Sequence, residues 1–190
     1  MLSSYLTSYQ FIQVQRTAVS NHLESVTDKT LRKLLEKELL RKRQLEAKLL
    51  SDIKSYVQEH PGLAEDYQRL MTISGIGEKL AFSLLFLFRH YQGTNRAQIT
   101  ALVGLDPIYK ESGTSVKGKI KISKNGNRYI RKMLYLPTLC AIKNNQKINL
   151  FYQRLIDNHK PKKVAVIAAM RKLLLVAHAV YQNKTEYVPG

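Results

Sequence analysis

A serine followed by a glycine, Ser112-Gly113, lies in a lysine-rich stretch, and this combination could perform chemistry on a phosphodiester. A serine hydroxyl can attack phosphorus as a nucleophile while ammonium groups neutralise the phosphate oxygens. No neighbouring histidine supplies an evident base. The residues alone therefore favour the alternative, an ordinary loop serine that hydrogen-bonds within a turn.

A second candidate site is the stretch Ile73-Ser74-Gly75-Ile76-Gly77-Glu78-Lys79. Two closely spaced glycines let the chain turn sharply between helices and leave backbone N–H groups uncovered, so that a phosphate can approach them. We predict a backbone phosphate clamp formed by Gly75, Ile76, Gly77 and Lys79. A short turn between packed helices that binds no ligand is the competing interpretation.

A cluster of cations follows the serine and could hold several phosphates at once, so affinity for nucleic acid should fall steeply with salt. Its members are Lys117, Lys119, Lys121, Lys124, Arg128, Arg131 and Lys132. Asn125 could add contacts to sugar or base. A solvated basic face that serves only solubility is the alternative, but the cations cluster rather than alternate with acids.

The overall composition supports a polyanionic partner. Thirty-one Lys and Arg oppose 14 Asp and Glu, which gives a formal net charge of +17 over 190 residues, and nucleic acid is the obvious polyanion. A 44% apolar share predicts a folded protein. The five histidines lie far apart and the acids form no recognisable magnesium site, so we expect no metal in this chain.

The elements that must position these residues are helical. Apolar spacing predicts a helix from about Tyr5 to Val26 and, after a Thr27-Asp28 cap, a second helix to Gln58. His60-Pro61-Gly62 marks a boundary. We therefore predict a coiled-coil-like helical hairpin over residues 1–60 and a second domain over residues 61–190. The apolar surface that the hairpin leaves must meet either the following domain or a second copy of the chain, and dimerisation is our hypothesis.

The predicted fold class is all-α. The second domain should be compact and begin with a helix-hairpin-helix around the Gly-Ile-Gly turn. Residues 108–127 look non-helical and predict a small basic insertion, irregular or two-stranded. Further helices should follow Asn127, including Ile148 to Asn158 and Val164 to Gln182.

Compartment can also be inferred from the sequence. Cys140 is the single cysteine and lies in an apolar helical pattern, which predicts a buried, inert thiol in a reducing compartment. The N-terminus lacks a signal pattern, and the longest near-apolar run, Leu80 to Phe88, is too short for a membrane span. We expect a soluble, cytoplasmic protein.

Several motifs, in this order, resemble the C-terminal domain of a bacterial insertion-sequence transposase family that is related to the pilin-gene invertases. They are Ser74-Gly75-Ile76-Gly77, Ala101-Leu102-Val103-Gly104-Leu105-Asp106-Pro107, Glu111-Ser112-Gly113, Ile122-Ser123-Lys124-Asn125-Gly126-Asn127, Arg131 and Met170-Arg171-Lys172-Leu173-Leu174. The resemblance spans roughly Leu63 to Tyr187.

The resemblance implies that Ser112 attacks DNA and forms a phosphoserine intermediate. Ser115 and then Ser123 rank behind it as alternatives. Family members join this helical domain to an N-terminal RNase H-like domain whose acidic tetrad holds Mg²⁺, and some use a structured guide RNA. No counterpart of the acidic domain is found, so we expect a fragment, an eroded copy or half of a split enzyme in the bacterial cytoplasm, associated with the nucleoid.

Two other functions fit part of the sequence. A non-catalytic helix-hairpin-helix module that recognises DNA shape would explain the charge and the glycines, though not the motifs after Pro107. A purely RNA-directed role, in which the basic segment holds a folded transcript, is the third hypothesis.

Overall fold

The computed structural model describes residues 2–108, 111–112, 116–117 and 121–188. The chain divides into two compact units, Met1–Ala64 and Glu65–Gly190. Helices dominate both units, as the sequence predicts.

The first unit contains a helical hairpin of α1 (Leu2–Ser25) and α2 (Lys29–Gln58). Asp28 caps α2, because its carboxylate accepts a hydrogen bond of 2.7 Å from the Leu31 N–H. This cap satisfies one of the N–H groups that the first turn of a helix leaves without a partner. The hairpin and its cap are both as predicted.

A cluster of polar side chains joins the two helices of the hairpin. Glu46 on α2 is 8% exposed, and its carboxylate accepts hydrogen bonds from Tyr9 at 3.2 Å and Gln13 at 2.8 Å. The Nε of Arg16, which lies on α1 with Tyr9 and Gln13, is 2.7 Å from the second carboxylate oxygen of Glu46. A buried carboxylate needs such partners, so the cluster fixes which residues of α1 face which residues of α2.

Within the part of the chain that the structure describes, six further helices follow the hairpin. They are α3 (Pro61–Met71), α4 (Glu78–His90), α5 (Arg96–Val103), α6 (Arg128–Asn144), α7 (Gln146–Asp157) and α8 (Lys162–Asn183). The apolar α4 supplies Phe82, Leu84 and Phe88 to the core, where each is almost fully buried. Leu173 and Leu174 of α8 are fully buried as well.

Helix α8 is the one helix of the described chain that is long and apolar enough to cross a membrane. The sequence predicts this helix over Val164 to Gln182, but Arg171 and Lys172 interrupt its apolar residues, so no single apolar run in it reaches the length of a membrane span. Half of its apolar window is buried inside the fold, and α8 packs against α4, α5, α6 and α7. These contacts are those of a central core helix. Such a helix is apolar on most of its surface because it is surrounded by apolar groups, as a membrane span is.

The predicted insertion between α5 and α6 consists of short antiparallel strands. Strand β1 (Pro107–Ile108) pairs with β4 (Lys121–Ile122), with Pro107 opposite Ile122. Strand β2 (Glu111–Ser112) pairs with β3 (Val116–Lys117), with Ser112 opposite Val116. The two pairs are nested in sequence, and we call residues 107–122 the basic ribbon. The predicted fold class, all-α with a small two-stranded insertion, is confirmed.

The prediction that Cys140 is buried is wrong, because the thiol is exposed. The buried residues Ile130, Leu134, Thr138 and Ala141 define the core face of α6. Cys140 immediately precedes Ala141, and successive residues of a helix point about a quarter turn apart. The apolar spacing of the sequence identified the helix but not its inner face.

Candidate nucleic-acid interface

Ser112 lies on β2, and three residues separate it from Val116, its partner on β3. Its backbone therefore belongs to the inner strand pair, β2 and β3, which is more distant in sequence from the two ends of the ribbon than β1 and β4 are. Lys117 lies on β3 beside Val116. Of the other sequence-predicted residues, Lys119 and the alternative nucleophile Ser115 lie outside the described residues.

The two ends of the ribbon meet at the C-terminal end of α5, where two glycines permit a close backbone approach. Gly104 ends α5 in the left-handed conformation, with φ of 69°. A Cβ added to Gly126 would lie 2.3 Å from the Leu102 carbonyl oxygen and 2.4 Å from the Gly104 nitrogen. Only glycine can occupy position 126 without displacing this backbone.

Backbone hydrogen bonds hold the returning chain in place. The Ser123 N–H donates to the Asp106 carbonyl at 2.9 Å, and the Asn127 N–H donates to the Leu102 carbonyl at 2.7 Å. The Ser123 hydroxyl also donates to the Asp106 carboxylate. These contacts give Ser123 an evident structural partner at the base of the ribbon.

The cations predicted to bind phosphate separate into two groups. Lys121, Lys124, Arg128 and Lys132 are exposed, and no ion pair joins any of them to a carboxylate within the described residues. Arg131 instead turns inward, and its Nη1 donates to the Val103 carbonyl at 2.7 Å.

The charge of the second unit is strongly positive. Residues 65–190 contain 21 of the 31 Lys and Arg but 7 of the 14 Asp and Glu, a difference of +14. Exposed cations without neighbouring acids keep their full attraction for an approaching polyanion.

A cleft of about 660 Å³ adjoins the base of the ribbon, and amide side chains and an exposed tyrosine line it. Asn125, Asn127 and Gln98 supply the amides, and Tyr91 is 41% exposed. Two amide oxygens are already committed, because Asn127 caps α6 through the Ile130 N–H and Gln98 accepts from the Asn95 N–H. Asn125 is exposed, so it is the amide best placed for a ligand.

Residues 72–77, which we call the clamp turn, connect α3 to α4 and contain the two predicted glycines. Gly75 has φ of 103°, and an added Cβ would lie 2.6 Å from the Ala141 Cβ. Gly77 is the N-cap of α4, and a Cβ there would meet nothing within 4 Å. Ile76 is 5% exposed, whereas Gly77 and Lys79 are exposed.

The clamp turn therefore presents only part of the predicted set to solvent. Gly75 serves close packing against α6, and Ile76 is a core residue. The surface that a phosphate could approach is the N-terminal end of α4, where Gly77 and Lys79 lie and where the helix dipole favours an anion.

Residues 184–188, which we call the C-terminal strap, contact the clamp turn, and sequence reasoning did not identify them. The Tyr187 N–H donates to the Thr72 hydroxyl at 2.9 Å, and the Tyr187 hydroxyl donates to the Asn145 amide oxygen at 2.8 Å. Asn145 is 2% exposed and caps α7. These partners lie 42 to 115 residues apart in sequence, so periodicity and spacing could not reveal them.

Residues 67–153 match the model of the transposase IS116/IS110/IS902 family, a range that includes the end of α3, the clamp turn, the ribbon and α6. The chain is 29% identical over 120 residues to the pilin gene-inverting protein of Moraxella lacunata, an alignment of 62% of this chain and 37% of that protein.

A second relative gives the same result. The pilin gene-inverting protein of Moraxella bovis is 29% identical over 129 residues, which cover 67% of this chain and 40% of that protein. The aligned part of the chain thus spans about two fifths of the length of the curated relatives that it matches. The resemblance predicted from the sequence motifs is confirmed, because residues 67–153 match the model of the IS116/IS110/IS902 transposase family and the two pilin gene-inverting proteins are distant relatives of the chain.

Proposed function

We propose that this chain acts in DNA transposition or recombination, and that the basic ribbon presents Ser112 to a DNA phosphodiester. The observation that carries the proposal is that the part of the chain matching a transposase family model contains Ser112 on a short strand, and that exposed cations follow this strand pair in the chain. The cytoplasm of a bacterium, in association with the nucleoid, is the corresponding location.

DNA binding in this proposal uses two surfaces of the second unit. Lys121, Lys124, Arg128 and Lys132 form an electrostatic cradle at the base of the ribbon, and Lys117 and Lys119 remain proposed phosphate contacts. The N-terminal end of α4, at Gly77 and Lys79, accepts a phosphate through backbone N–H groups. Both surfaces read the backbone rather than base identity, so affinity falls steeply with salt.

In the proposed reaction the Ser112 Oγ attacks phosphorus. The serine hydroxyl gives up its proton as the phosphoserine bond forms, the bond from phosphorus to one deoxyribose oxygen breaks, and that oxygen takes up a proton and leaves as a hydroxyl. A hydroxyl from another DNA end then reverses the exchange and frees the serine. Mg²⁺ held by an acidic domain supplies electrostatic activation of the phosphate, and we assign no residue of this chain to that ion.

The test is covalent capture of DNA. The chain is mixed with a family acidic domain supplied in trans, Mg²⁺ and end-labelled DNA, and protein–DNA adducts are separated under denaturing conditions. Ser112→Ala should abolish the adduct, whereas the controls Ser115→Ala and Ser123→Ala should retain it. An adduct that survives Ser112→Ala and disappears with Ser123→Ala would contradict the assignment of the nucleophile.

The helical hairpin is proposed to bring two copies of the chain together. Apolar side chains on its surface remain exposed, and burial of such a patch in a dimer would be favourable. The most exposed of these are Phe11 at 59%, Val14 at 64% and Leu34 at 59%. A recombinase needs two DNA ends held together, which a dimer provides.

A structured guide RNA is proposed as a further partner of the basic ribbon. Lysines attract either nucleic acid, so charge alone does not distinguish RNA from DNA. Competition between a folded RNA and duplex DNA of equal length at matched salt tests this point. If duplex DNA displaces the RNA completely at equimolar concentration, the RNA-directed role fails.

The alternative function is a non-catalytic helix-hairpin-helix module that binds DNA or RNA. The exposed Gly77 at the start of α4 favours it, because this geometry suits phosphate binding without any chemistry. Salt-dependent DNA binding together with a failure of every serine to form an adduct would support this function over recombination.

A further inference from the structure

Arg131 differs from the other cations near the start of α6. Arg128 and Lys132 are exposed, whereas Arg131 is half-buried and reaches back toward α5. Its Nη1 lies 2.7 Å from the Val103 carbonyl oxygen and 3.5 Å from that of Gly126. Three cations within five residues therefore have two different environments.

The Val103 carbonyl is a suitable partner for a guanidinium group. Val103 is the last residue of α5, and carbonyl groups at the end of a helix have no intrahelical partner and carry partial negative charge. A charge-assisted hydrogen bond there is shorter and stronger than a neutral one. Gly104 makes room for it, because a Cβ at that position would lie 2.6 Å from the Arg131 Nη1.

The same small region contains the two ends of the basic ribbon. The Lys124 N–H donates to the Gly104 carbonyl at 3.2 Å, and the Asn127 N–H donates to the Leu102 carbonyl at 2.7 Å. Arg131 closes this set of bonds from the side of α6. Loss of its guanidinium would leave the Val103 carbonyl without this donor and would weaken the attachment of the ribbon to α5.

We propose that Arg131 is a positioning residue that fixes the base of the basic ribbon, and thereby Ser112, rather than a nucleic-acid contact. The attachment of the ribbon to α5 is independent of what the chain binds. The effect on Ser112 rests on the proposed recombination function.

Salt dependence distinguishes a phosphate contact from an anchor. A cation that neutralises one phosphate contributes about 0.9 to the slope of log affinity against log salt for duplex DNA. Arg131→Met keeps an unbranched apolar stem and removes the guanidinium, and Lys132→Met is the matched exposed control. Binding of labelled duplex DNA is measured by fluorescence anisotropy across a range of salt concentrations.

Hydrogen exchange of the Ser123, Lys124 and Asn127 amides supplies a readout that needs no DNA. We expect Arg131→Met to raise these exchange rates at least about tenfold and to leave the salt slope unchanged. Lys132→Met should lower the slope by about 0.9 and leave exchange unchanged. A lowered slope with unchanged exchange in Arg131→Met would overturn the proposal.

Covalent capture adds a test of positioning as distinct from folding. Arg131→Met should slow adduct formation at Ser112 while affinity for DNA changes little, and methylguanidinium added to this variant should restore part of the rate. If capture and affinity fall together and methylguanidinium restores neither, Arg131 does not act by positioning Ser112. If no protein forms an adduct, the recombination function fails, and hydrogen exchange still decides whether Arg131 is the anchor.

Should Arg131→Met not fold, Arg131→Lys replaces it. The ammonium group keeps the charge but lacks the planar fork of the guanidinium. An anchor role predicts faster exchange of the same amides, and wild-type exchange rates in Arg131→Lys would overturn it.

Discussion

The Lys184 ammonium lies 2.8 Å from each carboxylate oxygen of Asp66, which is 118 residues earlier in the chain. Asp66 is 5% exposed, and Arg69 donates a second charged hydrogen bond to it at 2.9 Å. The contact joins the start of the C-terminal strap to α3. Two cations thus compensate one buried carboxylate, which would be costly to bury alone.

Asp66→Asn should destabilise the second unit by about 1.5–3 kcal/mol, the usual range for hydrogen bonds that involve charged groups. Asparagine keeps the shape but presents an amide to two cations. Glu65→Gln is the matched control, because Glu65 pairs with Arg69 at an exposed position and should cost less than about 1 kcal/mol. Urea unfolding followed by circular dichroism measures both. Equal decreases in the free energy of unfolding of the two variants would contradict the conclusion that the buried Asp66 carboxylate contributes more than the exposed Glu65.

Gly75→Ala should destabilise the protein by about 1–3 kcal/mol, because a non-glycine residue at positive φ is strained and the new Cβ would collide with Ala141. Gly77→Ala, in the same turn, has φ of −98° and open space. It should cost less than about 1 kcal/mol, through loss of a favourable N-cap residue. Chemical denaturation of both variants compares them, and a smaller loss for Gly75→Ala would be inconsistent with the close contact to α6.

Stability of the second unit should fall as pH decreases below about 6.5, because burial lowers the pKa of His178 beneath its ordinary value. The unfolded state then binds more protons than the folded state, so stability rises with pH in this window and is lost as pH falls through the folded pKa. The imidazole contacts the Thr94 hydroxyl at 3.3 Å and the Phe88 ring. It also lines a cleft with Lys184.

Urea unfolding at pH values between 5 and 8 tests the role of this histidine. His178→Gln should flatten the pH dependence, whereas His90→Gln, at an exposed position on α4, should leave it as steep as in the wild type. A slope that persists in His178→Gln would assign the pH dependence to other groups.

Phe11→Glu should weaken self-association through the helical hairpin, because a charge on the exposed apolar surface would have to be buried in a dimer. Sedimentation velocity over a range of protein concentrations measures the change. Thr17→Glu, on the same helix at an exposed polar position, is the control and should associate as the wild type does. A wild type that sediments as a monomer at every concentration would refute dimerisation by this surface.

Local sequence signals predicted much of the fold. Helical periodicity located α1 and α2, and side-chain chemistry identified the cap at Asp28 and a helix after Asn127, because both signals depend on residues close in sequence. The non-helical basic segment was also evident from its alternating lysines and glycines.

Tertiary contacts account for what the sequence did not reveal. Gly75 and Gly77 look equivalent in the sequence, yet only Gly75 packs against Ala141, which lies on α6. Arg131 looks like its cationic neighbours until α5 supplies the Val103 carbonyl. Which side of α6 faces the core decided the exposure of Cys140, and partners distant in sequence decided the role of Tyr187.

The bonds between the ribbon ends and α5 are formed largely by main-chain atoms and two glycines, with one arginine and one Ser–Asp pair beside them. The exposed ammonium groups of Lys121 and Lys124 take no part in this attachment among the described contacts. Their number and placement can therefore vary while the scaffold keeps its shape. Substitutions among these lysines would therefore change the affinity of the ribbon for nucleic acid without lowering the stability of the folded domain.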